Sequence, residues 1–266
     1  MRQTAAMLDE RWIRSLHVEA MHHADLDGGH DAHVLFQSST IGALLEGAYE
    51  GDMTFAELAE QGDLGLGTLD RLDGEMIALD GRFYRADVEG VVHDIWPQER
   101  TPFAVVSRFE PQIRFDMEGD LAHDELLAAV DERMPEGAPS GALRVDGRFD
   151  VVRARSVPRQ VPPYRPLAEV VGEQHVFELE GVEGTMVGFR FPDYAEGIEV
   201  GGYHLHFITA DRRRGGHVLD ARATAVRVAL DPSRDLHVEL PPGMELRSPD
   251  LAADTHAAIV RAESGQ

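Results

Sequence analysis

Apolar positions first recur in a readable pattern at residues 34–36. Upstream, residues 1–33 are polar, hold five His and a Gly pair, and show no sustained period. That predicts an N-terminal extension without regular structure. Ser38, Ser39 and Thr40 precede IGALLEGAY, an apolar helix with a Ser/Thr cap. Thr54 and Glu57 make a T-x-x-E capping box for a second short helix, ended by Gly62. In EMIALDGRFY, Asp80-Gly81 between apolar runs signals a tight hairpin. Residues 103–109 read as a strand just after Pro102, and residues 123–134 as a helix stopped by Pro135. Asp146-Gly147 predicts another hairpin within ALRVDGRFDVVRA.

The stretch VPRQVPPYRPL (157–167) carries four Pro and suits neither a central strand nor a helix interior. It reads as a linker or crossover. Beyond it the pattern turns strand-rich, with HVFELE, TMVGFRF, GIEV, YHLHFIT, HVLDARA, TAVRVAL and DLHVEL. Short strands at this spacing predict a small barrel or sandwich. Ser248-Pro249 can cap a last helix over DLAADTHAAIVRA. The expected fold is α+β with two domains after the extension. Residues 34–156 form a mixed sheet with helices, and residues 157–266 a smaller, mostly antiparallel, barrel-like domain with a helical tail.

Composition narrows the chemistry. The 266 residues hold 25 basic and 48 acidic side chains, a formal charge of −23, and every basic one is Arg. With no Cys, disulfide scaffolds and thiolate zinc sites are excluded. With no Lys, Schiff-base and P-loop mechanisms are excluded as well. Nucleic acid is not an expected partner for so acidic a chain. No apolar run approaches the roughly 20 residues that span a bilayer, so no membrane association is expected. The N-terminus lacks a signal-peptide core, which makes the cytoplasm the expected address. A surface crowded with Asp and Glu fits a saline cytosol, and a high-GC coding bias accounts for it equally well.

The candidate chemistry lies in GGYHLHFITADRRRGGHVLDA. His204 and His206 are two residues apart in a strand-like run, so both imidazoles fall on one face, with Cα atoms about 6.6 Å apart. Gly215 and Gly216 follow a turn, and His217 opens the next strand. If the strands pair, three imidazoles can form three corners of a tetrahedral zinc site with the fourth open. Spacing alone leaves a blander alternative, two surface His and one at a strand start. Glu75 shares a strand face with Ile77, and a carboxylate among apolar neighbours is paired, metal-bound or held neutral, unless it stands at a strand edge in water. Arg155 closes DVVRARS on one face with Val151 and Arg153. It is either one half of an ion pair or the fork that an anionic substrate needs in so negative a chain.

Several long segments resemble the α-acetolactate decarboxylase family. They are VLFQSSTIGALLEGAYEGDMTFAEL, QGDLGLGTLDRLDGEMIALDGRFYRA, TPFAVVSRF, VPPYRPLAEVV, GTMVGFRFPDY and GGYHLHFITADRRRGGHVLD, in order from about residue 34 to about residue 220. The resemblance implies a homodimeric zinc enzyme of two α/β domains that converts 2-acetolactate to (R)-acetoin and carbon dioxide. It implies that His204, His206 and His217 hold Zn2+, that Glu75 and Arg155 are catalytic, and that Thr68 lies beside the substrate. It further implies a Glu of the C-terminal tail that folds back to the metal, for which Glu263 sits at a better distance from the end than Glu245. Two other readings compete. A cupin-like metal oxygenase acting on a small keto acid also uses H-x-H, but wants a Glu soon after, where Asp211 is the nearest acid. A non-enzymatic metal-binding protein could use His22, His23, His30 and His33.

Overall fold

Strand-forming segments build two β-sheets that share an apolar layer. The structure is a computed structural model that describes residues 15–23, 26 and 32–240. Its elements in chain order begin with β1 (His17–His22), β2 (Val34–Ser38), α1 (Ile41–Leu45), β3 (Met53–Thr54), α2 (Phe55–Gln61), β4 (Leu64–Thr68), β5 (Glu75–Leu79) and β6 (Arg82–Ala86). Then come β7 (Val92–Asp94), β8 (Arg100–Thr101), β9 (Ala104–Ser107), β10 (Ile113–Ala122), α3 (His123–Asp131) and β11 (Ser140–Ser156). The last are α4 (Leu167–Val170), β12 (His175–Phe191), β13 (Gly202–Thr209), β14 (Gly215–Ser233) and β15 (Asp235–Leu240). The result is α+β and mostly β.

The first sheet has eight strands in the order β1-β15-β2-β9-β4-β5-β6-β7, and a small β3–β8 pair stands apart. The second has the order β10-β14-β11-β12-β13. There β13 also pairs back on β14, so four strands close into a barrel-like ring. Period-2 alternation divides the apolar side chains. On β5, Ile77 and Leu79 face the second sheet, where they pack with Val187, Phe189 and Ile208. Met76 and Ala78 point the other way, onto α2 through Phe55 and Leu58. On β13, Leu205 and Phe207 fill the ring interior with Val145, Phe149 and Met186, while Ile208 faces the first sheet.

Local signals explain the short helices. Thr40 caps α1 by accepting from Ala43 N at 3.2 Å. The capping box of α2 is complete, with Glu57 N donating to Thr54 Oγ1 and Thr54 N donating to Glu57 Oε2. Asp80 and Gly81 take left-handed backbone, φ 53° and 74°, and join β5 to β6 as a tight hairpin.

Three expectations are corrected. His17–His22, inside the segment expected to lack regular structure, pairs in parallel with β15 at the sheet edge. Its side chains stay largely exposed, so it carries no apolar alternation to read. The two sheets do not divide the chain at residue 156. Residues of β10, α3 and β11 belong with the second sheet, and β15 returns to the first, between β1 and β2. Asp146-Gly147 is not a hairpin. Both residues lie mid-way along the 17-residue β11, paired with β12 on one side and β14 on the other. The predicted C-terminal helix, Glu245 and Glu263 lie outside the described residues.

Candidate active site

The layer between the sheets is apolar except at one end, where strands from both sheets turn polar side chains into it. From the second sheet come His204 and His206, on the Ile208 face of β13. His217 at the start of β14 stands directly opposite His206 in the β13–β14 register. Arg155 near the end of β11 pairs with that same His217 in the β11–β14 register. From the first sheet comes Glu75, on the Ile77 face of β5, with Thr68 opposite it on β4. All six are buried.

The three imidazoles converge, with ring centroids 5.2–5.3 Å apart in every pair. One ring nitrogen from each lies within 4.8 Å of the others, a spacing that could hold a metal ion. His206 Nδ1 lies 2.8 Å from Met76 O. A carbonyl only accepts, so that nitrogen carries the hydrogen and Nε2 keeps its lone pair. Nε2 of His206 is buried without a hydrogen-bond partner among the described residues and stands 3.5 Å from Glu75 Oε2. Burial first, then the neighbouring His204 and Arg155, hold His206 well below the usual imidazole range, although the bond to Met76 pulls the other way. Neutral imidazoles with inward lone pairs are what a divalent cation requires.

Glu75 and Arg155 meet as a buried ion pair, Arg155 Nη1 donating to Glu75 Oε1 at 2.9 Å. Of the alternatives open to a carboxylate on an apolar face, pairing is therefore realised. The Thr68 hydroxyl donates to Gly74 O at 2.8 Å, which ties β4 to the turn that leads into Glu75. Around these groups Ile41, Leu44, Leu72, Phe103, Val157 and Leu167 wall a cavity of about 40 Å³. One water needs roughly 10–15 Å³, so the space suits a small ligand. A wider hollow of about 590 Å³ lies at Arg144, Arg148 and Glu183, where Arg144 pairs with Asp146 and Arg148 with Glu183 at the surface.

Among the described residues the competing readings find less support. Asp211 sits in the β13–β14 turn, accepting from Thr209 Oγ1 at 2.7 Å, rather than beside the imidazoles. Of the early His tract, His23 pairs with Glu57 and Glu239, and His33 with Asp231. Among the described residues the one group spaced for a metal is His204, His206 and His217. His30 lies outside those residues.

Sequence reasoning missed two supports. Glu199, fully buried, stands 3.1 Å from His204 Nδ1 through Oε1. The Phe103 ring stacks on His204, 6.4 Å between centroids and 14° from parallel. A lone acid in GIEV was the only trace of the first, and nothing local marked the second.

Comparison with known proteins identifies the family. The family described as alpha-acetolactate decarboxylase matches residues 35–253. An alpha-acetolactate decarboxylase of Methylococcus capsulatus is 46% identical over 236 residues, 89% of this chain and 91% of its own length. One from Methanosarcina mazei is 43% identical over 230 residues, 86% and 80%. The crystal structure of alpha-acetolactate decarboxylase from Bacillus subtilis strain 168 superposes with a TM-score of 0.81 at 35% identity, covering 86% of this chain and 98% of that one. Fold, site and relatives together define a carboxy-lyase. The chain belongs to the α-acetolactate decarboxylase family.

Proposed function

We propose that the protein converts 2-acetolactate to (R)-acetoin and carbon dioxide, with Zn2+ held by His204, His206 and His217. The observation that carries this reading is the convergence of three buried imidazoles beside the Arg155–Glu75 pair in a small apolar-walled cavity. The donor set fits the ion, since His206 turns a buried, unbonded Nε2 lone pair toward the other two rings. When bound, a divalent cation on three neutral ligands supplies an undiminished positive charge for developing oxygen anions.

The chain's own groups do the rest. Loss of carbon dioxide breaks the bond between the carboxyl carbon and the adjacent carbinol carbon, and leaves the electron pair to spread into the neighbouring ketone. Arg155 holds the carboxylate so that the breaking bond overlaps the ketone π system. Its grip has a limit, because binding the carboxylate too tightly would favour the ground state. Once the substrate carboxylate takes its place on Arg155, Glu75 is released from the pair and takes a proton from solvent. It delivers that proton to one face of the carbon, giving a single enantiomer, and returns to the paired carboxylate. Thr68, through its bond to Gly74 O, fixes the turn that presents Glu75. The apolar walls exclude water while charge develops. Glu263 is the residue proposed to approach the metal from the C-terminal tail.

Metal analysis of the purified protein tests the ligand set. We expect about one zinc per chain in the wild type and loss of the ion in His206→Ala, which removes one of three ligands. A full complement of zinc in that variant would show that the ligands are wrongly assigned.

A further inference from the structure

Glu199 is fully buried, and no step above uses it. It lies in the loop before β13, and its Oε1 stands 3.1 Å from His204 Nδ1. The loop is anchored on several sides. Ile41 N and Gly42 N, at the start of α1, donate to Ile198 O at 2.9 Å and Gly197 O at 3.1 Å. The buried Gln37 amide donates to Ile198 O at 2.7 Å and to Ser39 O at 2.8 Å. Glu199 N donates to Ala195 O at 3.1 Å. A carboxylate on backbone so tied keeps its place against the imidazole, and Phe103 stacks on that same ring.

A neutral imidazole carries one N–H, and its partner decides where. For His206 that partner is the carbonyl of Met76. For His204 it is a carboxylate, a stronger acceptor that also raises the basicity of the ring's other nitrogen. We propose that Glu199 is a positioning residue that holds His204 with hydrogen on Nδ1 and Nε2 turned to the cluster, and thereby sets the affinity of the three-imidazole site for a divalent cation. The proposal rests on the reading of that cluster as a metal site.

The test uses the full chain stripped of metal by a chelator and titrated with Co2+. Affinity is read by competition with a chromophoric chelator, and ligand geometry by the visible cobalt bands. Glu199→Gln should keep the melting temperature of the metal-free protein, weaken cobalt binding about 10–100-fold and shift the cobalt bands. If Glu199→Gln does not fold, Glu199→Asp, which keeps the charge but withdraws it by one methylene, carries the same comparison. Affinity within about twofold of wild type, with superimposable cobalt spectra, would overturn the role of Glu199 alone. A wild-type protein that takes up no cobalt, as expected of His206→Ala, would overturn the metal reading itself and this role with it.

Discussion

Glu75 concentrates the residue-scale claim, because one carboxylate is asked both to pair with Arg155 and to deliver a proton. Glu75→Gln keeps a hydrogen-bonding partner for Arg155 but has no acidic proton. We expect that variant to retain fold and zinc and to lose about 10²-fold or more in kcat, the usual worth of a positioned acid. Turnover within a few-fold of wild type, measured by acetoin release, would remove Glu75 from the proton step. How these residues were legible differs from one to the next. Strand parity alone put His204 with His206 and Glu75 with Ile77, and both assignments match the faces observed. The meeting of His206 with His217 followed from a short Gly-rich turn between paired strands. Arg155 shared its strand face with Arg153 and was read as either half of an ion pair or a fork for an anion. The pair with Glu75 realises the first, and its catalytic role came from the resemblance. Glu199 was out of reach, since its contact with His204 depends on a loop held by α1 and Gln37 rather than on any local period.

Two Asp-Gly pairs show at the scale of elements what local chemistry decides and what it does not. Asp80-Gly81 has a strand partner only through its own turn, and the dipeptide's left-handed preference is expressed. Asp146-Gly147 is flanked by β12 and β14, and two ladders of backbone hydrogen bonds hold it extended. Gly is still required there, for close approach rather than for turning. A Cβ on Gly147 would meet Ala225 O at 2.1 Å. Gly147→Ala should therefore destabilise the protein by about 1–3 kcal/mol, as overpacking does. Denaturant unfolding checks this, and an unchanged midpoint would mean that β11 and β14 can part at that position without cost. The short helices were legible because their caps are local, as at Thr54 and Glu57.

For the whole molecule, charge and connectivity dominate. Periodicity located most strands but could not assign them to sheets, because pairings such as β15 between β1 and β2 join residues more than 200 positions apart. Salt acts on the charge in two opposed ways. Screening weakens surface pairs such as Arg82–Asp94 and Arg148–Glu183, each worth about 0–1 kcal/mol. It also relieves the self-repulsion of 48 acids against 25 Arg, a net −23. The surface pairs are individually weak, whereas the net charge of −23 acts over the whole molecule, so relief should win. We expect the melting temperature to rise between about 0.1 M and 1 M NaCl, over which the screening length falls from about 10 to 3 Å. A flat or falling trend would assign the acidity to coding bias rather than to a saline interior.

The most direct measurement supplies the purified protein with racemic 2-acetolactate and resolves the product by chiral chromatography, before and after removal of metal by a chelator. Acetoin of the R configuration should form with release of carbon dioxide, cease on chelation and return with added Zn2+. Unchanged production in the chelated protein, or a racemic product at the rate of the uncatalysed reaction, would contradict a carboxyl loss organised by three imidazoles, Arg155 and Glu75.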